Sequence, residues 1–260
     1  MEDWAIFLVS QFNLVYSGVN MIKKIFFIFS MSLLIADIDF AQLKSINIFS
    51  DYSSALSKRL NVSEAIAFGG GAEVNFDLGK NFSLSIESGY KLFSISQTNQ
   101  LLDWGWDFWN NRYQNKIKSD LQADKNLSVV ISSSQKLGII PLMIHANYSY
   151  ILTDKFTATG SIGSGVYFYT RTLYAIEKWS KKFPSENYVF TYSYRNFAPE
   201  KKGNPFVLSA GFDLSYEFIE SFSLNAGVDY INVLLGSKNG GNNFLFTNEL
   251  TTKLGIIFRY

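Results

Sequence analysis

The chain has 260 residues, with 23 Lys and Arg against 22 Asp and Glu, so no global field draws it to nucleic acid or to anionic lipid. It has no cysteine, which removes disulfides, thiolate metal sites and cysteine nucleophiles. Mean hydropathy is +0.05 with 17% aromatic residues, low for a helical membrane protein but suited to strands with one apolar and one polar face.

Residues 1–20 are apolar but interrupted by Gln11 and Asn13, and read as an upstream start or an extended leader ahead of the true Met21. From Met21 the chain shows a basic M-I-K-K, an apolar run of about a dozen residues and a small residue before Gln42. That is the order of a signal peptide, and the run is shorter than the roughly 20 residues of a spanning helix. Residues 21–41 are therefore expected to be removed after Ala41, with Asp39 departing from the small residue preferred three positions before a cut. The mature domain is 42–260.

Period-two alternation then repeats along the chain, as strands require because successive side chains point to opposite faces. Ser45 to Tyr52 is a short first segment. Ile66 to Leu78 sets Phe68, Val74, Phe76 and Leu78 against Gly69, Gly71, Glu73, Asn75 and Asp77. Phe82 to Leu92 sets Phe82, Leu84, Ile86, Tyr90 and Leu92 against Ser83, Ser85, Glu87, Gly89 and Lys91. Ile140 to Leu152, Phe156 to Thr170, Phe206 to Phe218, Phe222 to Leu234 and Phe244 to Tyr260 do the same, the last with Phe244, Phe246, Leu250, Leu254, Ile256, Phe258 and Tyr260 on the apolar face. Pro141 cannot donate to a ladder, so a bulge or bend is expected there.

Eight segments result, joined by alternating short and long links. Gly79-Lys80-Asn81, Thr153-Asp154-Lys155 and Glu220-Ser221 are tight. Ala55 to Ala65, Ser96 to Leu127, Ala175 to Asn204 and Gly236 to Asn243 are long. An all-β, antiparallel, up-and-down transmembrane β-barrel of about eight strands predicts that asymmetry, with short periplasmic turns and longer outer loops. The polar face collects charges of both signs: Glu73, Glu87, Lys91, Arg171, Asp213, Glu217, Asp229, Glu249, Lys253 and Arg259. At eight strands the interior is just wide enough to be filled by side chains, and mixed charges there can pair. The apolar face carries rings near strand ends, as a lipid-facing surface does at its interfaces. A soluble, lipocalin-like barrel with the faces reversed is the alternative.

The chain resembles the PorT-like outer-membrane β-barrel domains, within the broad OmpA/OmpX-like class of eight-stranded barrels. The resemblance is carried by Ile140-Pro141-Leu142 running into Tyr148-Ser149-Tyr150, by Thr159-Gly160-Ser161-Ile162-Gly163-Ser164-Gly165, by Ala210-Gly211-Phe212 with Tyr216-Glu217-Phe218, and by the ending Leu254 to Tyr260. It covers roughly Ala65 to Tyr260. It implies a bacterial outer-membrane location, a proline at the Pro141 position, and recognition of the terminal aromatic Tyr260 by the barrel-insertion machinery. It implies no shared catalytic set.

Chemistry-bearing patterns are sparse. His145 is the only histidine, which excludes a histidine-based metal cluster, and no cofactor site is legible. Ser149 shares its face, but a lipid hydrolase would need both at the lipid surface. Gly69-Gly70-Gly71 lacks the Lys-Ser/Thr of a phosphate loop and reads as close packing. Trp104, Trp106, Trp109 and Tyr113 crowd one outer loop, either as a docking surface for glycan, protein or lipid headgroup or as rings folded over the barrel mouth. Ala175 to Asn204, with Trp179, Lys181, Lys182, Tyr188, Tyr192, Tyr194 and Arg195, reads as a strand extension beyond the membrane with a binding role of its own. The expected function is structural or surface interaction through the outer loops, without enzymatic activity. A narrow channel or a binder of a small apolar ligand is the second expectation, and it needs an apolar internal cavity.

Overall fold

The structure, a computed structural model, describes residues 43–236 and 241–259. The expected leader, the cleavage point after Ala41 and the terminal Tyr260 lie outside them.

Eight strands form a closed antiparallel ring. In chain order they are β1 (Leu43–Ala55), β2 (Val62–Gly79), β3 (Phe82–Gln97), β4 (Leu127–Ile151), β5 (Phe156–Phe183), β8 (Phe206–Ile219), β9 (Phe222–Leu234) and β10 (Asn248–Arg259). Each pairs with its neighbour in sequence, β5 pairs with β8, and β1 closes on β10 through eleven residue pairs from Ser45↔Arg259 to Ala55↔Glu249. Closure removes every edge within the ring, which is what a backbone in lipid needs. Two further strands, β6 (Tyr188–Phe197) and β7 (Lys201–Gly203), pair with the upper part of β5.

The faces are arranged inside out relative to a soluble barrel. Ile48, Phe68, Ile162, Leu224 and Leu254 are exposed on the outer surface, while Lys91, Arg171, Glu249 and Thr251 are buried inside. An apolar outer surface of this extent is lipid-facing. Rings collect at both ends of it. Near the short turns, Phe82 lies against Tyr148, Phe156 against Tyr216 and Phe222 against Phe258, with centroids 4.9–5.1 Å apart. Toward the long loops, Tyr52 lies against Phe68 at 5.2 Å and Phe168 is exposed. From Phe156 to Phe168 is about 40 Å along β5, or about 28 Å along the axis at a tilt of about 45°, close to the thickness of a bilayer core.

The tight links are where the alternation places them: residues 80–81, 152–155 and 220–221 join strands at one end. Lys80 sits there in the left-handed region at φ 50°. The long links gather at the other end and are built rather than loose. Residues 98–126 hold a short helix α1 (Gln100–Asp103), a π-helical turn (Phe108–Tyr113) and helix α2 (Gln114–Ala123). β4, β5 and β6 continue past the other strands as a three-stranded crown.

Four expectations change. No bulge occurs at Pro141. The β3–β4 ladder passes from Ser88↔Leu142 to Lys91↔Ile139 without a shift of register, and β4–β5 runs straight through Pro141↔Tyr167. The β3–β4 ladder omits the pairs of Pro141 with Gly89 and of Ile140 with Tyr90, and the Ser88 hydroxyl donates to the Pro141 carbonyl at 2.9 Å. β4 begins at Leu127, not Ile140, because Ser132-Ser133-Ser134 hides the alternation of its outer half. The last strand begins at Asn248, and Phe244, Leu245 and Phe246 are fully buried in the barrel mouth instead of facing lipid. There the chain turns inward: Arg59 Nη1 donates to the carbonyls of Gly241 (3.0 Å) and Phe244 (3.3 Å) and binds this segment to the link between β1 and β2. Finally, Arg171 is inside as expected but bonds amides rather than a carboxylate, donating to Gln135 Oε1 at 2.9 Å and Gln97 Oε1 at 3.3 Å.

Candidate functional site

The interior has three layers. Nearest the short turns is a chamber of about 400 Å³, lined by polar side chains that include Asn47, Glu73, Glu87, His145, Asp213, Asp229 and Lys253. Its mouth carries the turn residues Lys80, Asn81, Thr153 and Asp154, so it opens at the short-turn end. Two ion pairs brace its wall, Lys253 Nζ lying 2.6 Å from both Glu87 Oε2 and Asp229 Oδ2. Lys253 also sits 4.8 Å over the Phe49 ring. Arg259 pairs with Glu217 near the mouth, and Asp213 accepts from Asn225 Nδ2 at 3.1 Å.

Above the chamber a second knot crosses the barrel. Lys91 Nζ meets Glu249 Oε1 at 2.8 Å, both side chains being at most 2% exposed. Lys91 donates further to Thr251 (3.0 Å) and Ser53 (3.2 Å), and Tyr167 OH donates to Glu249 Oε1 at 3.2 Å. Next comes a solid apolar plug of Phe93, Leu137, Ile139, Tyr167, Tyr169, Val207, Ile231 and Val233, capped by Phe244, Leu245 and Phe246. The outer half of the interior is apolar, and it is filled: Phe246 lies 5.0 Å from Phe93, and Phe244 5.1 Å from Tyr169.

The aromatic loop closes over this plug. Trp104, Trp106 and Trp109 are buried, at 3, 8 and 1% exposure, and Tyr113 is partly buried. They do not form an exposed docking surface. Trp109 stacks with Trp106 at 5.6 Å and meets Tyr113 at 5.4 Å. The Arg171 guanidinium lies 4.6 Å over Trp104, whose Nε1 donates to the Pro199 carbonyl at 3.1 Å. The lid packs on the crown through Leu173, Ala175, Trp179 and Ala198. At that junction Glu177, fully buried, accepts from Trp179 Nε1 (2.8 Å), Tyr113 OH (3.2 Å) and Asn196. Burial, with the negative charge of Glu177 behind it, pushes the Tyr113 phenol up. On the lid's far side the Asn126 backbone N–H and then Lys181 hold the Asp124 carboxyl down.

The crown leaves side chains exposed on both faces: Tyr188, Phe190 and Tyr194 on the face of Trp179, and Phe197 with Lys178, Lys182 and Arg195 on the other. Tyr192 is partly buried beneath, stacked 6.3 Å from Trp179. His145 and Ser149 are not brought together for catalysis. His145 Nδ1 faces Glu87 and Glu73, and Ser149 shares a hydrogen bond with Thr159 at 3.0 Å. Lys91, Arg171 and Glu249 are buried inside, and Glu73, Glu87, Asp213, Glu217, Asp229, Lys253 and Arg259 line the chamber; Asn47, Gln97, Gln135 and Glu177 are further interior residues that the sequence did not single out. Glu177 falls on the inward parity of β5, so alternation carried far enough would have found it.

No protein-family model matches the chain, and no curated protein matches it in sequence. Solved structures do. The attachment invasion locus protein Ail of Yersinia pestis, in complex with the heparin analogue sucrose octasulfate, is 10% identical over 84% of this chain and 97% of that one, with TM-score 0.39. Neisserial surface protein A is 12% identical over 83% and 96%, with TM-score 0.40. The N-terminal β-barrel domain of Pseudomonas aeruginosa OprF is 13% identical over 84% and 98%, with TM-score 0.34. Identities and TM-scores are low, and what this chain does is read from its own residues.

Proposed function

We propose that the chain is an integral protein of a bacterial outer membrane, closed to through-passage by its own side chains, whose outward work is done by the crown. The observation that carries this is the inside-out barrel with a filled core: an apolar belt outside, and inside it the Lys91–Glu249 knot and the apolar plug stacked across the lumen. An eight-stranded barrel filled in this way is a scaffold rather than a pore. The interior chamber does not suit a small apolar ligand, because it is lined largely by Asn, Ser, Thr and charged side chains. The exposed crown rings and cations suit a glycan or protein partner, since aromatic and Arg side chains are the usual anchors. Kinship with PorT-like barrels, and delivery to the insertion machinery through Tyr260, belong to the same reading and rest on the sequence patterns.

The test is fractionation of expressing cells, with gel mobility compared before and after boiling. The expected result is an outer-membrane band that shifts on boiling, is cut by protease on intact cells near the exposed hairpin at residues 183–188, and gives no steady conductance in planar bilayers. A soluble periplasmic protein without a shift, or a stable open conductance, would overturn it.

A further inference from the structure

Like charges placed directly opposite each other across two strands repel. Glu73 on β2 and Glu87 on β3 are such a pair, and both face the chamber. His145 on β4 approaches them from the next strand, its Nδ1 3.8 Å from Glu87 Oε2 and 4.0 Å from Glu73 Oε1. The ring is turned that way by packing. Its Cδ2–Nε2 edge lies over Gly163, where a Cβ would collide with it, so the Nδ1 edge is the one presented to the carboxylates. Charge is out of balance here. Six carboxylates line the chamber against four cations; Lys253 is engaged by Glu87 and Asp229, Arg259 by Glu217, and Lys80 stands at the mouth. Asn47, directly opposite Glu73 on β1, is 3% exposed and lines the same chamber; its buried side-chain oxygen has no hydrogen-bond partner and lies over Gly255 on β10.

We propose that Glu73, Glu87 and His145 form a binding site for one divalent transition-metal ion, reached through the short-turn mouth of the chamber. One donor atom from each lies within 4.8 Å of the others. An ion bound tetrahedrally at about 2.1 Å spaces its donors about 3.4 Å apart, so small torsions of the two glutamates close the set. His145 and Lys253 both face Glu87 Oε2, so binding the ion requires the Glu87 carboxylate to turn and share its two oxygens between the ion and Lys253. One imidazole with two carboxylates suits zinc, manganese or nickel better than calcium or magnesium, which prefer all-oxygen sets. The ion compensates the excess negative charge, which is otherwise costly in a buried setting. The inference does not depend on what the crown binds.

The probe is zinc alone, titrated calorimetrically into the protein folded in detergent, with metal content measured after dialysis. One equivalent is expected to bind, with magnesium failing to displace it. His145→Ala and Glu73→Gln should each weaken zinc binding by at least about tenfold, while Glu217→Gln, near the mouth and outside the set, leaves it unchanged. Heat-shift mobility checks that each variant is folded. Glu73→Gln keeps the shape of the residue, so it carries the test if His145→Ala does not fold. Absence of stoichiometric zinc binding in the parent protein overturns the proposal. So does binding that survives substitution at both positions.

Discussion

The Lys91–Glu249 knot gives a prediction whose size follows from its geometry. At 2.8 Å, the gross attraction is about 6 kcal/mol at an effective dielectric of about 20, and it offsets the desolvation of two charges held in the barrel. Lys91→Met removes the cation and strands a fully buried carboxylate whose remaining donors are Tyr167 and Thr251. Breaking a buried pair in this way costs about 3–5 kcal/mol, or roughly two to four decades in the folding constant. Replacing the whole knot is a different perturbation. Lys91→Met with Glu249→Leu leaves the Tyr167 hydroxyl without its acceptor, an expected cost of about 1–3 kcal/mol. Adding Tyr167→Phe removes that group too and returns stability to within about 1 kcal/mol of the parent, since well-packed apolar substitutes for buried pairs are often neutral. Urea unfolding in lipid vesicles, followed by the gel shift and by tryptophan fluorescence, reads all three. A Lys91→Met cost below about 1 kcal/mol, or a triple variant no more stable than the single, would refute the account.

Trp109→Ala empties the centre of the lid stack. A cost of about 3–5 kcal/mol is expected to appear locally, as faster proteolysis within residues 98–126, with the barrel's heat shift retained. Gly165→Ala drives a Cβ into the Leu142 carbonyl of the neighbouring strand, a backbone atom that cannot rotate away. A loss of about 1–3 kcal/mol is expected in urea titration, whereas Gly160→Ala meets nothing within 4 Å and should be nearly neutral. For pH, the raised Tyr113 phenol means the closed lid binds its proton more tightly than the open one. Its contribution is complete below the ordinary phenol value of about 10 and is lost as pH rises through the higher folded value. Tryptophan fluorescence should therefore report lid loosening above that range, and Tyr113→Phe should abolish the transition.

The barrel was legible because parity is a local property. Once Phe82 faces lipid, Ser83, Ser85, Glu87 and Lys91 must face inward, and no knowledge of neighbours is needed. Loop lengths carried the rest of the topology. Partnership is not local, and that is where the reading stopped. Lys91 and Glu249 lie 158 residues apart, and Glu73 meets Glu87 only through a register that the turn at Lys80–Asn81 and the whole β2–β3 ladder set together. The failures have equally specific causes. Phe244 and Phe246 alternate like a lipid-facing strand, yet the segment ahead of β10 folds into the mouth, where the same two rings complete the plug. The tryptophans of the lid left two readings open, an exposed docking surface or rings folded over the mouth, because the segment lies outside the strands and parity does not apply there; a helix and a π turn bring them onto one side, where they bury one another.

These two kinds of information bear on function differently. A filled core is implied once strand number and interior parity are known, so the absence of a wide pore follows from residues read singly. A site depends on which inward residues become neighbours. Asn47, Glu73 and Glu87 form a row across three strands, with His145 reaching in from a fourth. None is within ten residues of another in the chain, and a lone histidine gave no reason to look. The registers of the three successive ladders β1–β2, β2–β3 and β3–β4 assemble them, so in a barrel of this kind an interior metal-ligand set is expected to show as register rather than as a spacing motif. The decisive comparison is zinc affinity in Glu73→Gln against Glu217→Gln. Both remove one carboxylate charge from the lining of the same chamber, but only the first removes it from the row. If zinc binding falls equally in both, net charge alone attracts the ion. If it falls only with Glu73, the register makes the site.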